Sequence, residues 1–126
     1  MTFEEAHRRI KRGDLEALRA ALDLGLDPNL TNRFRWSLLM LCAMEGFLDA
    51  GKLVHAAGAR IESENNVGET ALSLAAHAGH LRFVEWLVAK GAPKNPSPHG
   101  HDLATWVENT SGLPQSKIAA ILDALR

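Results

Sequence analysis

Residues 68–80 read GETALSLAAHAGH, and residues 81–92 read LRFVEWLVAKGA. Thr70 is a residue type that caps a helix N-terminus, and apolar residues follow it at the spacing of one helical face. Gly79 interrupts this pattern, and Gly91 ends a second amphipathic stretch, as glycine commonly does where a helix closes. The segment therefore predicts two short antiparallel helices joined by a tight turn.

The same residues recur along the chain at a fixed interval of 33 positions. The Gly-x-Leu motif at 79–81 recurs at 46–48 and at 13–15, and the Gly-Ala pair at 91–92 recurs at 58–59. An internal period of this length is typical of a solenoid, in which each unit buries its apolar face only by stacking on its neighbours. The chain is therefore expected to form a stack of helix pairs with a large surface.

This period divides the chain into units of a single domain. They are an N-terminal capping repeat (1–31), two full repeats (32–64 and 65–97) and a divergent C-terminal capping repeat (98–126). Gly51 stands where Val84 stands one period later. We predict a weak point there, because a glycine costs a helix about 1 kcal/mol relative to alanine and provides no core side chain.

Composition and charge narrow the class of protein. Hydrophobic residues form 46% of the 126, which indicates a folded chain, and the net charge of −1 gives no overall attraction to nucleic acid. Cys42 is the single cysteine, so no intrachain disulfide can form. The apolar run at 38–44 is too short to span a bilayer, and the first residues lack the apolar core of a signal peptide. We therefore expect a cytoplasmic protein that does not bind a membrane.

The third unit resembles the ankyrin repeat through its opening motif at 68–80 and its closing motif LVAKGA at 87–92. The second unit is similar but has Arg35 in place of the turn glycine, and the first unit lacks the turn. The resemblance extends from Gly13 through Gly91. It implies an all-α ankyrin-repeat solenoid of stacked helix-turn-helix units with short β-turn fingers, about three to four repeats including the caps.

The resemblance also implies a function, because ankyrin proteins as a family are noncatalytic binding scaffolds. The expected partner is another protein. Small, free-standing ankyrin chains with degenerate repeats resemble bacterial toxin-neutralising immunity proteins, so a cognate toxin is one candidate partner. Neither a cofactor nor a catalytic residue is expected, and the unbound chain is expected to be a monomer.

The most informative surface feature is the sequence Arg33-Phe34-Arg35-Trp36, at the predicted tip of the second unit's turn. In ankyrin-like stacks such tips project beside the concave face, and tryptophan and arginine are common anchors of protein interfaces. The alternative is that Phe34 or Trp36 folds back over the first unit, which lacks a turn of its own. We favour the interface.

The period predicts further residues on the same concave face. Basic residues are expected at its N-terminal end, aromatic and sulfur-containing ones in the middle, and acidic ones beyond, which suits a partner with both acidic and basic patches. Beyond residues 33–36, the predicted partner-binding residues are Lys11, Arg12, Met44, Glu45, Val67, Glu69 and His77.

Two other hypotheses remain open. A loop with His99, His101 and Asp102 holds metal-ligand residue types, although a zinc site requires further ligands and Asp102 is also suited to cap a helix. Nucleic acid is a second alternative, through an arginine-rich surface formed by Arg8, Arg9, Lys11, Arg12, Arg33 and Arg35. By contrast, Cys42 and His80 occupy repeat positions that predict structural roles.

Overall fold

The computed structural model describes residues 1–94 and 102–126. Within these residues eight helices form four antiparallel pairs. They are α1 (Phe3–Lys11), α2 (Leu15–Asp23), α3 (Leu38–Glu45), α4 (Leu48–Ala56), α5 (Ala71–Ala78), α6 (Leu81–Ala89), α7 (Leu103–Thr110) and α8 (Gln115–Leu125). The first helices of the pairs pack against one another in chain order, and α2 with α4 and α6 with α8 form the second layer. The predicted all-α solenoid is confirmed.

Each first helix begins at a residue whose side chain satisfies a free backbone amide. The oxygens of Thr2, Ser37, Thr70 and Asp102 all accept from the amide three residues further on. Thr70 and Ser73 bond reciprocally, each side chain to the other's backbone amide. The helix start predicted near Thr70 is therefore confirmed, and its cap lies inside the stack.

The core is densest in the two central first helices. Residues 38–43 of α3 and 71–76 of α5 are all buried, because each of these helices is covered by a helix pair on either side. Cys42 of α3 is completely buried at the position that Ala75 occupies in α5. The structural role predicted for this cysteine agrees with its position.

The predicted weak point at Gly51 is wrong as far as packing is concerned, because the glycine leaves no gap in the core. The ring of Phe83, on α6 of the following repeat, lies directly against it. A Cβ at position 51 would be 2.6 Å from Cζ of Phe83, which is closer than nonbonded atoms approach. The core side chain missing from α4 is therefore supplied by the next repeat, and the glycine makes room for it.

The two helices of the C-terminal unit lie close to their predicted positions. Sequence spacing predicts helices at 102–109 and 115–125, and the structure has α7 one residue later and α8 where predicted. Neither 1–94 nor 102–126 contains a helix long and apolar enough to cross a membrane.

Candidate protein-binding surface

Two fingers precede the first helices of the central repeats, at residues 32–36 (finger 1) and 65–69 (finger 2). In finger 1, Oδ1 of Asn32 accepts from the amides of Phe34 (2.9 Å) and Trp36 (3.0 Å). The Asn32 amide in turn donates to the Trp36 carbonyl (3.0 Å), and Thr31 pairs with Ser37 as an antiparallel bridge. A single asparagine thus fixes the path of the turn.

Finger 2 repeats this geometry 33 residues later. Oδ1 of Asn65 accepts from the amides of Val67 and Glu69, both at 3.0 Å, and the Asn65 amide donates to the Glu69 carbonyl. The Asn66 amide also donates to the Phe34 carbonyl at 3.1 Å. This hydrogen bond joins the fingers, so their tips lie side by side.

Arg35 has a strained backbone conformation. Its φ of 65° is positive, and no other non-glycine residue among those described has this property. Finger 2 has Gly68 at the equivalent position, with φ of 80°. A side chain in this conformation costs about 1 kcal/mol relative to glycine. The arginine that replaces the turn glycine in the sequence is therefore held at an energetic cost.

The finger tips expose apolar side chains to solvent. Phe34 is 52% exposed and Val67, at the same position of finger 2, is 53% exposed. The guanidinium of Arg33 lies 4.8 Å from the centre of the Phe34 ring. Trp36, by contrast, is half-buried and packs against the hydrophobic core. Of the two aromatic residues predicted at this tip, Phe34 therefore faces the solvent, where a partner can reach it, and Trp36 packs inward.

A second group of predicted residues lies at the other end of the first helices. Lys11 ends α1, Glu45 ends α3, and His77 lies in the last turn of α5. Because α3 has eight residues, this group is about 12 Å from the fingers along the helix axis. Met44, 37% exposed, lies in this group, and Arg12 at the end of α1 is also exposed.

His77 is engaged by the C-terminal unit. Its ring stacks on that of Trp106, with 4.3 Å between the ring centres, and its Nε2 is 3.0 Å from Oγ1 of Thr110. The Thr110 hydroxyl donates its hydrogen to the Trp106 carbonyl at 2.6 Å, so Nε2 of His77 must be the donor to Thr110. His77 therefore connects the third repeat to the cap through one of its two ring nitrogens.

Glu45 lies beside two side chains of α1, and one of them, His7, was not predicted for this surface. Its Oε1 lies 3.7 Å from Nζ of Lys11 and 3.6 Å from Nε2 of His7. The other carboxylate oxygen of Glu45, Oε2, is inaccessible to solvent and makes no hydrogen bond, and the same is true of Nε2 of His7. His7 stands 33 positions before Met40, so the period could have placed it against the second repeat, although its pairing with a carboxylate has no sequence pattern.

Cys42 and His80 have structural environments. Burial raises the pKa of the Cys42 thiol to about 12, with a smaller contribution from the Glu45 charge, so the thiol is neutral and shielded at physiological pH. Nε2 of His80 bonds to the Met44 carbonyl at 2.9 Å, and its ring lies against Gly46. A Cβ at position 46 would be 2.7 Å from Nδ1 of His80, so this contact depends on the glycine.

The metal hypothesis falls largely on residues 95–101, so His99 and His101 lie outside the described residues. Asp102 is described, and it caps α7 by accepting from the Thr105 amide (3.0 Å) and hydroxyl (2.6 Å). These bonds, the hydroxyl first, hold the pKa of the Asp102 carboxyl below its ordinary value. The residues at 1–94 and 102–126 contain no group of three or more histidine, cysteine or acidic side chains placed to bind a metal.

The arginine-rich surface is partly neutralised. Arg9 forms an ion pair with Asp14 at 3.3 Å, and Lys11 pairs with Glu45. In the part of the chain that the structure describes, Arg33 and Arg35 form no ion pair. Arg8 and Arg12 of α1 also lack an ion pair in that part of the chain, so unpaired positive charge lies at α1 and in finger 1, where it stands beside the exposed apolar tips. Glu69 is half-buried, and its carboxylate accepts from Nδ2 of Asn65 at 2.9 Å.

Comparison with known proteins gives a family match and several relatives. Residues 6–97 match the family model described as ankyrin repeats (3 copies). Dauer abnormal formation protein 25 of Caenorhabditis elegans is 37% identical over 58% of this chain and 19% of its own length. Cyclin-dependent kinase inhibitor 2A of Monodelphis domestica is 28% identical over 60% of this chain and 64% of its own. Cyclin-dependent kinase 4 inhibitor B of Bos taurus is 30% identical over 62% and 85%. The chain thus spans less than two thirds of the first two relatives.

Proposed function

The chain belongs to the ankyrin repeat family, and we propose that it is a noncatalytic module that binds another protein through the face carrying its two fingers. The observation that carries the proposal is the exposure of Phe34 on a hydrogen-bonded turn, beside Val67 of the next finger. Exposed apolar groups on a rigid support lose little entropy on binding, and aromatic and arginine side chains are frequent interface anchors.

The relatives support the same class of function. Two of them are, by their names, inhibitors of cyclin-dependent kinases, and this chain covers 85% of the length of the bovine one. An inhibitor of a kinase acts by contact with another protein. These names support protein binding for this chain and do not identify its partner, because the same fold serves many partners.

The proposed anchors are Arg33, Phe34 and Arg35 of finger 1. Trp36 supports the finger from the core side, so its role is to hold the turn in place. The remaining predicted residues extend the face toward the ends of the first helices; they are Lys11, Arg12, Met44, Glu45, Val67, Glu69 and His77. A partner that contacts both groups must span about 12 Å along the helices.

A narrower form of the proposal is that the partner is a toxin neutralised by this protein. It is supported by the degenerate repeats, which resemble those of bacterial immunity proteins. A toxin gene immediately beside this gene is the expected finding. A neighbouring operon of unrelated enzymes would instead favour a regulatory adaptor.

The test begins by capturing the partner with the full chain from the source organism and identifying it by mass spectrometry. Calorimetric titration of the purified partner then compares the wild type with Phe34→Ser. We expect the Kd to rise about 10- to 100-fold, the loss typical of an interface anchor, while the thermal midpoint is unchanged because Phe34 is exposed.

Leu24→Ser is the matched control. Leu24 is 90% exposed at the end of α2, away from the fingers, so the variant removes a similar apolar side chain without touching the proposed face. It should bind as the wild type does. If Phe34→Ser keeps its affinity, or Leu24→Ser loses it, the finger face is not the binding surface.

A further inference from the structure

We propose that the finger surface recognises a partner segment in which acidic residues stand next to an apolar side chain, with the carboxylates on Arg33 and Arg35 and the apolar group between Phe34 and Val67. This inference rests on the proposed function and adds the chemistry of the partner. It follows from the charge, contacts and backbone conformation of finger 1.

The first argument is the distribution of uncompensated charge. Two basic residues of α1 are paired in the described chain, Arg9 with Asp14 and Lys11 with Glu45. Arg8 and Arg12 form no ion pair there, but their helix also carries Glu4 and Glu5. Arg33 and Arg35 are exposed and have no such neighbour among the residues at 1–94 and 102–126. Two unpaired guanidinium groups beside an apolar tip attract carboxylates and repel basic segments.

The second argument is the position of the Arg33 side chain. Its guanidinium lies 4.8 Å from the centre of the Phe34 ring, within the range of a cation–π contact. A guanidinium carries five N–H donors, and contact with one ring leaves most of them available to a partner. Arg33 is therefore held in place with donors suited to a two-point bond with a carboxylate.

The third argument is the shared apolar tip. The hydrogen bond from the Asn66 amide to the Phe34 carbonyl sets the two turns next to each other. Phe34 and Val67 occupy the same position of their fingers and are each about half exposed. Together they form an apolar contact area that single scattered surface residues do not provide.

The acidic residues in and next to finger 2 determine the orientation of the bound partner segment. Glu69 lies in this finger and Glu64 directly precedes it, whereas finger 1 carries only the two arginines as charged residues. A carboxylate placed over finger 2 would be repelled, and one over finger 1 would be attracted. The acidic part of the partner segment therefore lies on finger 1, and its apolar part reaches toward Val67.

The strain at Arg35 is an independent observation in favour of a binding role. Finger 2 forms the same turn with Gly68, which adopts a positive φ without cost. Strained conformations that local packing does not require are concentrated at functional sites. In exchange for this strain, Arg35 places a guanidinium at the exposed tip.

The experiment selects peptides from a random displayed library against the full chain. The selected peptides are expected to be enriched in aspartate and glutamate adjacent to an aromatic or branched aliphatic residue. One selected peptide is then synthesised and titrated against three variants, Arg33→Gln, Arg35→Asn and Phe34→Ser. Asparagine is used at position 35 because it tolerates positive φ, so the turn keeps its shape while the charge is removed.

We expect Arg33→Gln and Arg35→Asn each to raise the Kd of this peptide about 5- to 20-fold, and added salt to weaken wild-type binding more than variant binding. Arg19→Gln is the matched control. It removes one charge from an exposed arginine of α2 that has no ion pair in the described chain, and it should change the Kd by less than about twofold.

The outcomes separate this inference from the proposed function. Peptides without acidic enrichment, or arginine variants that behave like Arg19→Gln, overturn the acidic chemistry, and the finger face still stands if Phe34→Ser loses binding. If the library yields no binder, the acidic–apolar segment is overturned, and the finger face still depends on the titration of the captured partner. If Phe34→Ser also binds both the peptide and the partner normally, both proposals fail. A single-stranded oligothymidine that binds more tightly than the peptide would overturn the inference in favour of nucleic acid.

Discussion

The two central repeats follow the same path with different residues at three informative positions. In the 33-residue register, Arg35 stands against Gly68, Cys42 against Ala75, and Gly51 against Val84. Both repeats nevertheless have a hydroxyl side chain as the cap of the first helix, the same asparagine-centred turn and the same helix pair. The comparison shows which residues the architecture requires and which it tolerates.

The two sequence differences in the core, at Gly51 and Cys42, are accommodated by the residues packed around them. The difference at the surface, Arg35, is not. Gly51 is matched by Phe83, which fills the space that a larger side chain would take. Cys42 lies as an uncharged thiol among apolar groups. The Arg35 side chain forms no ion pair within the described residues, and the positive φ of its backbone is retained. An unmatched cost at an exposed tip points to an external role.

The largest expected effect comes from making the second repeat like the third at position 51. Gly51→Val should lower the free energy of unfolding by about 3 kcal/mol, because the new side chain overlaps the Phe83 ring. Urea denaturation measures the loss. The double variant Gly51→Val/Phe83→Leu should recover part of the lost stability, since leucine leaves room for the valine. The double-mutant cycle then gives the coupling free energy between positions 51 and 83.

Ala56→Val is the control for this prediction. Ala56 is exposed in the same helix, so the variant carries only the helix cost of a branched side chain, about 0.5 kcal/mol. A loss at position 51 no larger than the loss at position 56 would contradict the packing of Phe83 against Gly51.

The helices and the period were predictable from the sequence, because caps and apolar spacing are local patterns. The Thr70 cap and the start of α8 lie where those patterns place them. The role of Gly51 was not predictable, because it depends on which of the next repeat's side chains lies across the interface. A period relates equivalent positions and does not show how nonequivalent residues of neighbouring repeats meet.

The candidate surface was predictable in part for similar reasons. The turn position of residues 33–36 follows from the register, and Arg35 was recognisable in place of a glycine. The separate fates of Phe34 and Trp36 depend on which side of the turn faces the core. The stacking of His77 on Trp106 and the group around Glu45 arise from contacts between repeats, which no local pattern records.

The next prediction concerns Cys42, which can be replaced by the alanine of the third repeat. Its folded pKa of about 12 lies above the ordinary 9.0, so an unfolded thiol ionises at a pH where the buried one does not. The stability it confers is complete below pH 9.0 and is lost as the pH rises toward 12, at about 1.4 kcal/mol per pH unit. At about pH 10.5 the wild type should therefore have lost about 2 kcal/mol more than Cys42→Ala.

Urea denaturation of both proteins at about pH 8 and pH 10.5 provides this measurement, and lysine titration cancels in the difference. A thiol reagent added to the folded wild type at pH 8 should react far more slowly than with the unfolded chain. Parallel losses in the two proteins, or rapid labelling of the folded one, would contradict the burial of this thiol.

A smaller effect distinguishes the two turn asparagines. Asn65→Ala should cost about 2 kcal/mol, because Asn65 is buried and its loss leaves the amides of Val67 and Glu69 without their partner. Asn32→Ala should cost about 1 kcal/mol, since finger 1 is more exposed and water can replace part of the bonding. Thermal and urea unfolding measure both, with the exposed Asn66→Ala as a control near zero. Equal costs would mean that the two turns are equally shielded.

The smallest expected change in stability is the most informative about function. Arg35→Gly makes finger 1 match finger 2 and should raise the free energy of unfolding by about 1 kcal/mol, because glycine adopts positive φ without the clash of a Cβ. The same variant loses the guanidinium, so affinity for an acidic–apolar peptide should fall as stability rises. Gly68→Ala is the converse, a loss of about 1 kcal/mol without a lost charge. If Arg35→Gly is no more stable than the wild type, the turn is not strained; if it is more stable and binds equally well, the strain of Arg35 has no role in recognition.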